Sequence, residues 1–288
     1  MSKNILVTGS KGQLGSEFKN LEFYNYNYNF FFNDSTLDIS KIEDLECFIL
    51  KHNINIILNT AAYTNVDKAE IEEEKANKVN SLGVKNLVVL SEKYNCKLVH
   101  YSTDYVYNSP SSNPISENTF VNPINNYGKS KRRGEIFIEK SCSESIIIRT
   151  SWLYSNFGKN FVNTIIKRAN KEKQINVINN QFGCPTYAKD LALDTLKILG
   201  LNNKLDSFGK IYNYSNLGST SWSQFAQEIV EILNLDCKII GVSTIFSNTN
   251  VKRPKYSITN KNKILKDFNL DIPHWRHSLL TYLNTFKK

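Results

Sequence analysis

Thr103, Tyr127 and Lys131 have the residue types needed to protonate an oxygen on which negative charge is building. If Tyr127 to Lys131 is helical, positions four apart share a face, and the lysine sits one turn beyond the phenol. A free tyrosine with a pKa near ~10 is a weak acid-base catalyst at neutral pH, and a fixed cation beside it favours the phenolate. The spacing therefore predicts a phenol tuned downward by Lys131. The basic run Lys129, Lys131, Arg132 and Arg133 otherwise reads as a solvated helix face.

The surrounding elements explain how such groups are held. Lys97 to Tyr101 is an apolar strand that ends on Ser102-Thr103-Asp104-Tyr105. At the N-terminus, the strand Lys3 to Thr8 runs into Gly9-Ser10-Lys11-Gly12-Gln13-Leu14-Gly15, a Gly-x-x-Gly-x-x-Gly turn. Glycines let the backbone approach a pyrophosphate, and the following helix, Ser16 to Leu21, presents free N–H groups. The aromatic strand Tyr26 to Phe32 completes a βαβ unit, and Asp34 and Asp38 are both candidates to hold an adenosine ribose. Lys11 can meet a 2′-phosphate, which leans the cofactor toward NADPH over NADH. Ile54 to Leu58 is a further strand, ending on the small residues Thr60-Ala61-Ala62. Asp67 to Ala76 reads as a charged helix, and Val79 to Leu90, with apolar residues at helical spacing, as a packed one. His100 lies mid-strand and reads as core.

Strand alternating with helix predicts an α/β, Rossmann-like, doubly wound parallel sheet with ligands at its carboxyl edge. Residues 1–155 are expected to bind the dinucleotide. Residues 156–288, where isolated strands (Ile175 to Ile178, Lys210 to Asn213, Lys238 to Gly241) lie among helices, are expected to form a smaller substrate domain. A strand near 210–215 is expected to return to the main sheet. The stretch from Pro110 to Pro123 reads as a flap between the catalytic stretches.

Composition narrows the classes. A chain of 288 residues with 41% hydrophobic and 22% charged residues has the makeup of a globular protein. No apolar run approaches the ~18 residues of a membrane span, and the N-terminus reads as a strand, so a cytoplasmic location is expected. Five dispersed cysteines lack metal-ligand spacing and read as reduced thiols. The net charge of +9 is spread over 36 Lys and Arg, which suits an anionic cofactor and a nucleotide-linked substrate better than nucleic acid.

Thr103, Tyr127 and Lys131 resemble the Ser/Thr-Tyr-Lys triad of the extended short-chain dehydrogenase/reductase superfamily. Within it the chain resembles the dTDP-4-dehydrorhamnose reductase family over almost its whole length. The likeness runs through Leu6-Val7-Thr8-Gly9, Ala61-Ala62-Tyr63-Thr64 with Val66-Asp67-Lys68-Ala69-Glu70, and Val99-His100-Tyr101-Ser102-Thr103-Asp104-Tyr105-Val106. It continues through Arg149-Thr150-Ser151-Trp152, Asn160-Phe161-Val162, Gln181-Phe182-Gly183, Ser221-Trp222 and Arg253-Pro254.

The resemblance implies reduction of the 4-keto group of dTDP-4-dehydro-β-L-rhamnose by NADPH or NADH, giving dTDP-L-rhamnose for cell-surface polysaccharide. Tyr127 would give the proton, Thr103 hold the carbonyl oxygen, and Lys131 bind the nicotinamide ribose. Cofactor contacts would come from Gly9, Lys11, Gly12, Gln13, Leu14, Asp38, Ile39, Ala61, Ala62 and Tyr63. Substrate contacts would come from Thr64, Val66, Asp104, Trp152, Asn163 and Arg253. Tyr107-Asn108-Ser109 and Ser155 depart from the family pattern in loops near the sugar. Glu17 matches a position that holds a divalent cation in some dimeric relatives, but Lys189 replaces its expected partner, so no structural metal is expected and the chain is a monomer or a homodimer. The alternatives are a reductase or epimerase of another nucleotide-linked keto sugar, and a non-catalytic regulatory subunit of the same fold.

Overall fold

Runs such as Ile5-Leu6-Val7, Ile56-Ile57-Leu58 and Ile146-Ile147-Ile148 are apolar on both faces, as strands covered on both sides must be. The computed structural model describes residues 2–21, 28–200, 210–244 and 251–286. Its strands are β1 (Lys3–Thr8), β2 (Tyr28–Phe32), β3 (Ile56–Asn59), β4 (Lys97–Thr103) and β5 (Ser145–Thr150). With the edge strand Lys210–Tyr214 they form one six-stranded parallel sheet, in the order Lys210–Tyr214, β5, β4, β3, β1, β2. Tyr26 and Asn27, expected to begin the second strand, lie outside the described residues.

Alternation along the strands sends side chains to opposite faces. Val7, Leu58, Val99, Tyr101 and Ile148 pack under helix α1 (Gln13–Leu21), the helix Ala188–Gly200, and Ile264 and Phe268. Leu6, Ile57, Leu98 and Ile147 pack under the helices Ile42–Lys51 and Val84–Tyr94 and under Ile138. The sheet is thus buried twice, and residues well beyond 155 help to bury it. A third cluster lies around the parallel pair Gln174–Ile178 and Lys238–Val242, covered by the helices Phe161–Ala169, Trp222–Ile232 and Trp275–Leu283. Those two strands are therefore paired with each other rather than isolated.

Three expectations change. The charged segment Asp67 to Ala76 is two short helices, Val66–Ala69 and Glu73–Asn77. The packed helix that follows opens with a π-helical turn at Lys78–Gly83, which rotates the face, so Leu82 is 44% exposed while Asn80 is buried. The stretch from Pro110 to Pro123 is no free flap, because Ile115 is buried, bonds Ile258 O through its N–H at 2.7 Å, and pairs with Thr259.

Candidate active site

The glycine turn lies at the C-terminal end of β1, where the sheet order reverses between β2 and β3. Gly9 has φ 64°, and a Cβ on it would come within 2.6 Å of Ala61 Cα, so only glycine lets the turn lie against the end of β3. Helix α1 begins at Gln13 and presents its N-terminal N–H groups beside this turn. A backbone cradle that admits no side chain, next to a helix N-terminus, fits a dinucleotide pyrophosphate.

The flanking cofactor candidates have definite roles. Lys11 forms an ion pair with Asp34, whose carboxyl is held down at about 2 by that ammonium and by the Thr36 N–H. The lysine is 82% exposed, so its charge stands at the surface but already has a carboxylate. Burial works to raise the Asp38 carboxyl, but bonds from Ser40 N and Oγ (2.9 and 2.7 Å) and the Lys78 ammonium leave it below its ordinary value. Gln13 donates to Leu153 O at 3.3 Å and accepts from Asn160 Nδ2 at 3.0 Å, tying the glycine turn to the segment after β5. Leu14 and Ile39 are buried, and Ile39 packs into the core beneath β1 and β3.

Asn80, in the π-helical turn, donates to Tyr63 O at 2.9 Å and to Ser130 Oγ at 3.0 Å, and accepts from Tyr63 N at 2.8 Å. It joins the strand end Ala61-Ala62-Tyr63 to the helix carrying Tyr127. Sequence reasoning passed over Asn80; a lone asparagine within an apolar helical pattern was the available signal.

Thr103 closes β4, and Tyr127 opens the helix Asn126–Glu139, which Asn125 caps by accepting from Gly128 N at 2.8 Å. The Thr103 hydroxyl donates to Asp104 Oδ1 at 3.1 Å and also faces the Tyr127 phenol, while the Tyr105 ring meets Tyr127 edge-on at 5.8 Å. Burial pushes the phenol up to about 12, against the opposing effect of the Thr103 hydroxyl. The downward tuning by Lys131 expected from the spacing is thus not what the structure shows. Lys131 is 2% exposed, far from a solvated face, and donates to Tyr101 O at 2.7 Å. Burial brings its ammonium down to about 8. The two groups lie on one helix, but the cation is held by the backbone of β4.

Asp104 is buried, and burial raises its carboxyl to about 6 against the Ser257 and Thr103 hydroxyls. Trp152, two residues past β5, has a left-handed backbone (φ 46°), an unfavourable conformation for a bulky residue. Its ring stacks on Trp222 with centroids 3.4 Å apart, and a Cβ on Gly183 would come within 2.6 Å of it. Thr64 is exposed and Val66 half-buried, at the start of a short helix capped by Asn65. Arg253 bonds Asp67 Oδ1 at 2.7 Å and approaches Tyr105. Asn163 is committed to the fold: it donates to Ser155 O at 3.2 Å and accepts from the Tyr282 hydroxyl. The structure therefore brings Thr103, Asp104, Tyr127, Lys131 and Arg253 to one end of the sheet, and gives Asn163 an internal role.

Known proteins resemble the whole chain. The family described as the RmlD substrate binding domain matches residues 3–288. The spore coat polysaccharide biosynthesis protein SpsK of Bacillus subtilis is 35% identical over 280 residues, covering 97% of this chain and 96% of that protein. The dTDP-4-dehydrorhamnose reductase of Escherichia coli K12 is 33% identical over 298 residues, covering 98% of this chain and 97% of the enzyme. The crystal structure of dTDP-4-dehydrorhamnose reductase from Bacillus anthracis in complex with NADP matches with a TM-score of 0.93 at 34% identity, covering 99% of this chain and 100% of that one.

Proposed function

Because the chain belongs to the RmlD substrate binding domain family, to which it matches over residues 3–288, we propose that it reduces the 4-keto group of dTDP-4-dehydro-β-L-rhamnose with NADPH, giving dTDP-L-rhamnose for polysaccharide synthesis. The observation that carries the chemistry is the half-buried Tyr127, whose phenol faces the Thr103 hydroxyl, with Lys131 one turn on, at the sheet end that also bears the glycine turn.

Gly9, Gly12, Gln13 and Leu14 hold the cofactor's pyrophosphate, Ala61, Ala62 and Tyr63 line its path along the end of β3, and Lys11, Asp38 and Ile39 flank the adenosine end. When bound, NADPH supplies a hydride to the ketone carbon. The ketone oxygen then carries charge that the protein must meet. Thr103 donates a hydrogen bond to that oxygen. Tyr127 transfers its phenolic proton to it, so the C=O becomes CH–OH and the phenol becomes phenolate. A phenol whose proton affinity is raised by burial is a poor acid toward water, but matches an alkoxide, whose proton affinity is higher still. Lys131, one turn on along the same helix, would hold the nicotinamide ribose and relay a proton from solvent back to the phenolate.

Residues 1–155 supply the cofactor contacts together with Thr64, Val66, Asp104 and Trp152 on the sugar side, and residues 156–288 add Arg253 and also cover the main sheet. Trp152 faces the sugar, with Thr64, Val66 and Asp104 around it, and Arg253 exchanges Asp67 for the diphosphate.

The test is NADPH consumption by the purified protein with freshly prepared dTDP-4-dehydro-β-L-rhamnose, with the CDP- and GDP-linked keto sugars in parallel. Consumption only with the dTDP sugar supports the assignment. Equal or greater rates with another nucleotide reject the substrate, and no consumption with any keto sugar rejects the reaction.

A further inference from the structure

Three polar residues form a buried row across the centre of the sheet. Thr8, Asn59 and His100 are register neighbours on β1, β3 and β4, and are 1%, 0% and 0% exposed. They lie on the face that bears Leu6, Ile57 and Leu98, the same face that receives the helix of Tyr127 and Lys131. Apolar side chains would fill these positions without any demand for hydrogen bonds, so a fully buried polar row calls for a reason.

The direction of the row follows from the Asn59 amide, whose Oδ1 faces Thr8 and whose Nδ2 faces His100. The Ala61 N–H can only donate, and it meets Thr8 Oγ1 at 3.4 Å. Thr8 donates its own proton to Asn59 Oδ1 at 2.8 Å. That leaves Asn59 Nδ2 facing His100 Nδ1 at 2.9 Å, where it donates. Burial first, and then the Lys131 charge, hold the His100 imidazole well below its ordinary pKa, so the ring is neutral and carries one proton. With Nδ1 accepting, that proton is on Nε2. His100 Nε2 lies 3.4 Å from Lys131 Nζ, and the row ends as an N–H pointed at the lysine.

We propose that Thr8, Asn59 and His100 act together as a positioning device for Lys131, in which the His100 Nε2–H weakens the lysine's hold on its proton. The positive end of an N–H beside an ammonium disfavours the charged form, in the same direction as burial. Lys131 is thereby kept ready to exchange a proton near working pH, as it must when Tyr127 has given up its own. The row also begins at Ala61, in the stretch assigned to the cofactor, so the strand end that meets the cofactor and the lysine that serves the phenol are joined by one line of hydrogen bonds.

Other charges around Lys131 are accounted for. Glu135, on the same helix, favours the ammonium, but it is bound to Arg149 of β5 at 2.7 Å and to Arg132 at 3.0 Å. From the helical stretch packed alongside, Glu73 pairs with Arg133 and Asn80 reaches Ser130. Tyr127 and Asp104 face the site from its open side, and the Tyr101 hydroxyl bonds Thr195 on the opposite face of the sheet.

The inference rests on the reading of Lys131 as the lysine of the reducing site, and two experiments separate the two. Nitrogen NMR of ring-labelled histidine in the unmodified protein reads the His100 tautomer, whatever the protein reduces. A neutral ring protonated on Nε2 is expected; protonation on Nδ1 overturns the proposal. In the second experiment, kcat is followed against pH for Thr8→Val and Thr8→Ser. Without the Thr8 hydroxyl the Asn59 amide is free to turn, His100 takes its proton on Nδ1, and Nε2 becomes an acceptor for the ammonium. Thr8→Val should therefore move the alkaline limb upward by about half to one pH unit, the size of one ordinary hydrogen bond, and Thr8→Ser should leave it in place. An unmoved or downward-shifted limb in Thr8→Val, or an equal shift in both variants, overturns the proposal. Absence of turnover with every keto sugar instead overturns the assigned reaction, and leaves the tautomer measurement standing.

Discussion

Tyr127 and Lys131 stand at the end of the sheet with burial working against their charged forms, the phenol at about 12 and the ammonium at about 8. Arg253 and Lys11, assigned to the nucleotide and the cofactor, each face a carboxylate already, Asp67 and Asp34. The first pair is held by the backbone and by rigid elements, and its reactivity comes from removal from water. The second pair consists of cations at or near the surface whose partners are exchangeable. Proton transfer needs groups whose positions and proton affinities are set beforehand, whereas binding of an anion needs charge that can be redirected with little loss.

The contrast can be broken most directly at Tyr127. Tyr127→Phe keeps the ring and removes the acid, and turnover should fall by about a hundred- to ten-thousand-fold with NADPH affinity unchanged, as measured by cofactor fluorescence titration. Undiminished turnover would show that the proton comes from elsewhere.

The rigidity of this region rests on Glu135 and Arg149, fully buried and joined by two bonds at 2.8 and 2.7 Å. Arg149→Met should lower stability by about 3 kcal/mol, because it leaves the buried carboxylate with only the less buried Arg132 as its ion-pair partner. Burial acts to raise the Glu135 carboxyl, and at present the Arg149 guanidinium overcomes it. In the variant the folded pKa rises above the unfolded value, so the deficit should be least at acid pH and should grow as pH increases through the carboxylate range. Thermal melts from pH 5 to 8 would show this; a pH-independent loss would mean that Glu135 stays ionised in the variant as well.

At the exchangeable end the effects should be smaller and fall on binding. Arg253→Ala should raise the KM for the sugar nucleotide about tenfold while changing kcat by much less, since a guanidinium on a diphosphate contributes equally before and during the reaction. A fall in kcat with KM constant would move Arg253 into the reacting half. Smallest of all, Lys11→Ala should weaken NADPH binding by less than about 1 kcal/mol, because the lysine is 82% exposed and must leave Asp34 to reach a phosphate. Titration with both cofactors checks this, and an equal loss for NADH would show that Lys11 does not read the 2′-phosphate.

Much of this was legible in the chain because it depends on neighbours in sequence. The continuous apolar strands, the glycine turn opening a helix, and the four-residue interval from Tyr127 to Lys131 are local patterns with local physical causes. Local spacing placed phenol and lysine on one helix, but could not tell where the ammonium would point. That depended on Tyr101 O and His100, which β4 brings alongside. The Pro110 to Pro123 stretch reads as a flap by composition, and only its pairing with residues near 258 shows that it is fastened down.

His100 illustrates the division well. Its burial was readable from an apolar strand, and its chemistry was not, because an imidazole's tautomer depends on what each nitrogen meets. Asn59, Thr8 and Lys131 lie on three other elements, and only the parallel register of β1, β3 and β4 sets them side by side. The sequence by itself determined which turns carry glycine, where most strands and helices form, and which residues are candidates for acid-base chemistry. The tertiary structure decided which groups are buried, which already have partners, and therefore how tightly each holds its proton, because burial and partnership arise between residues that are distant along the chain.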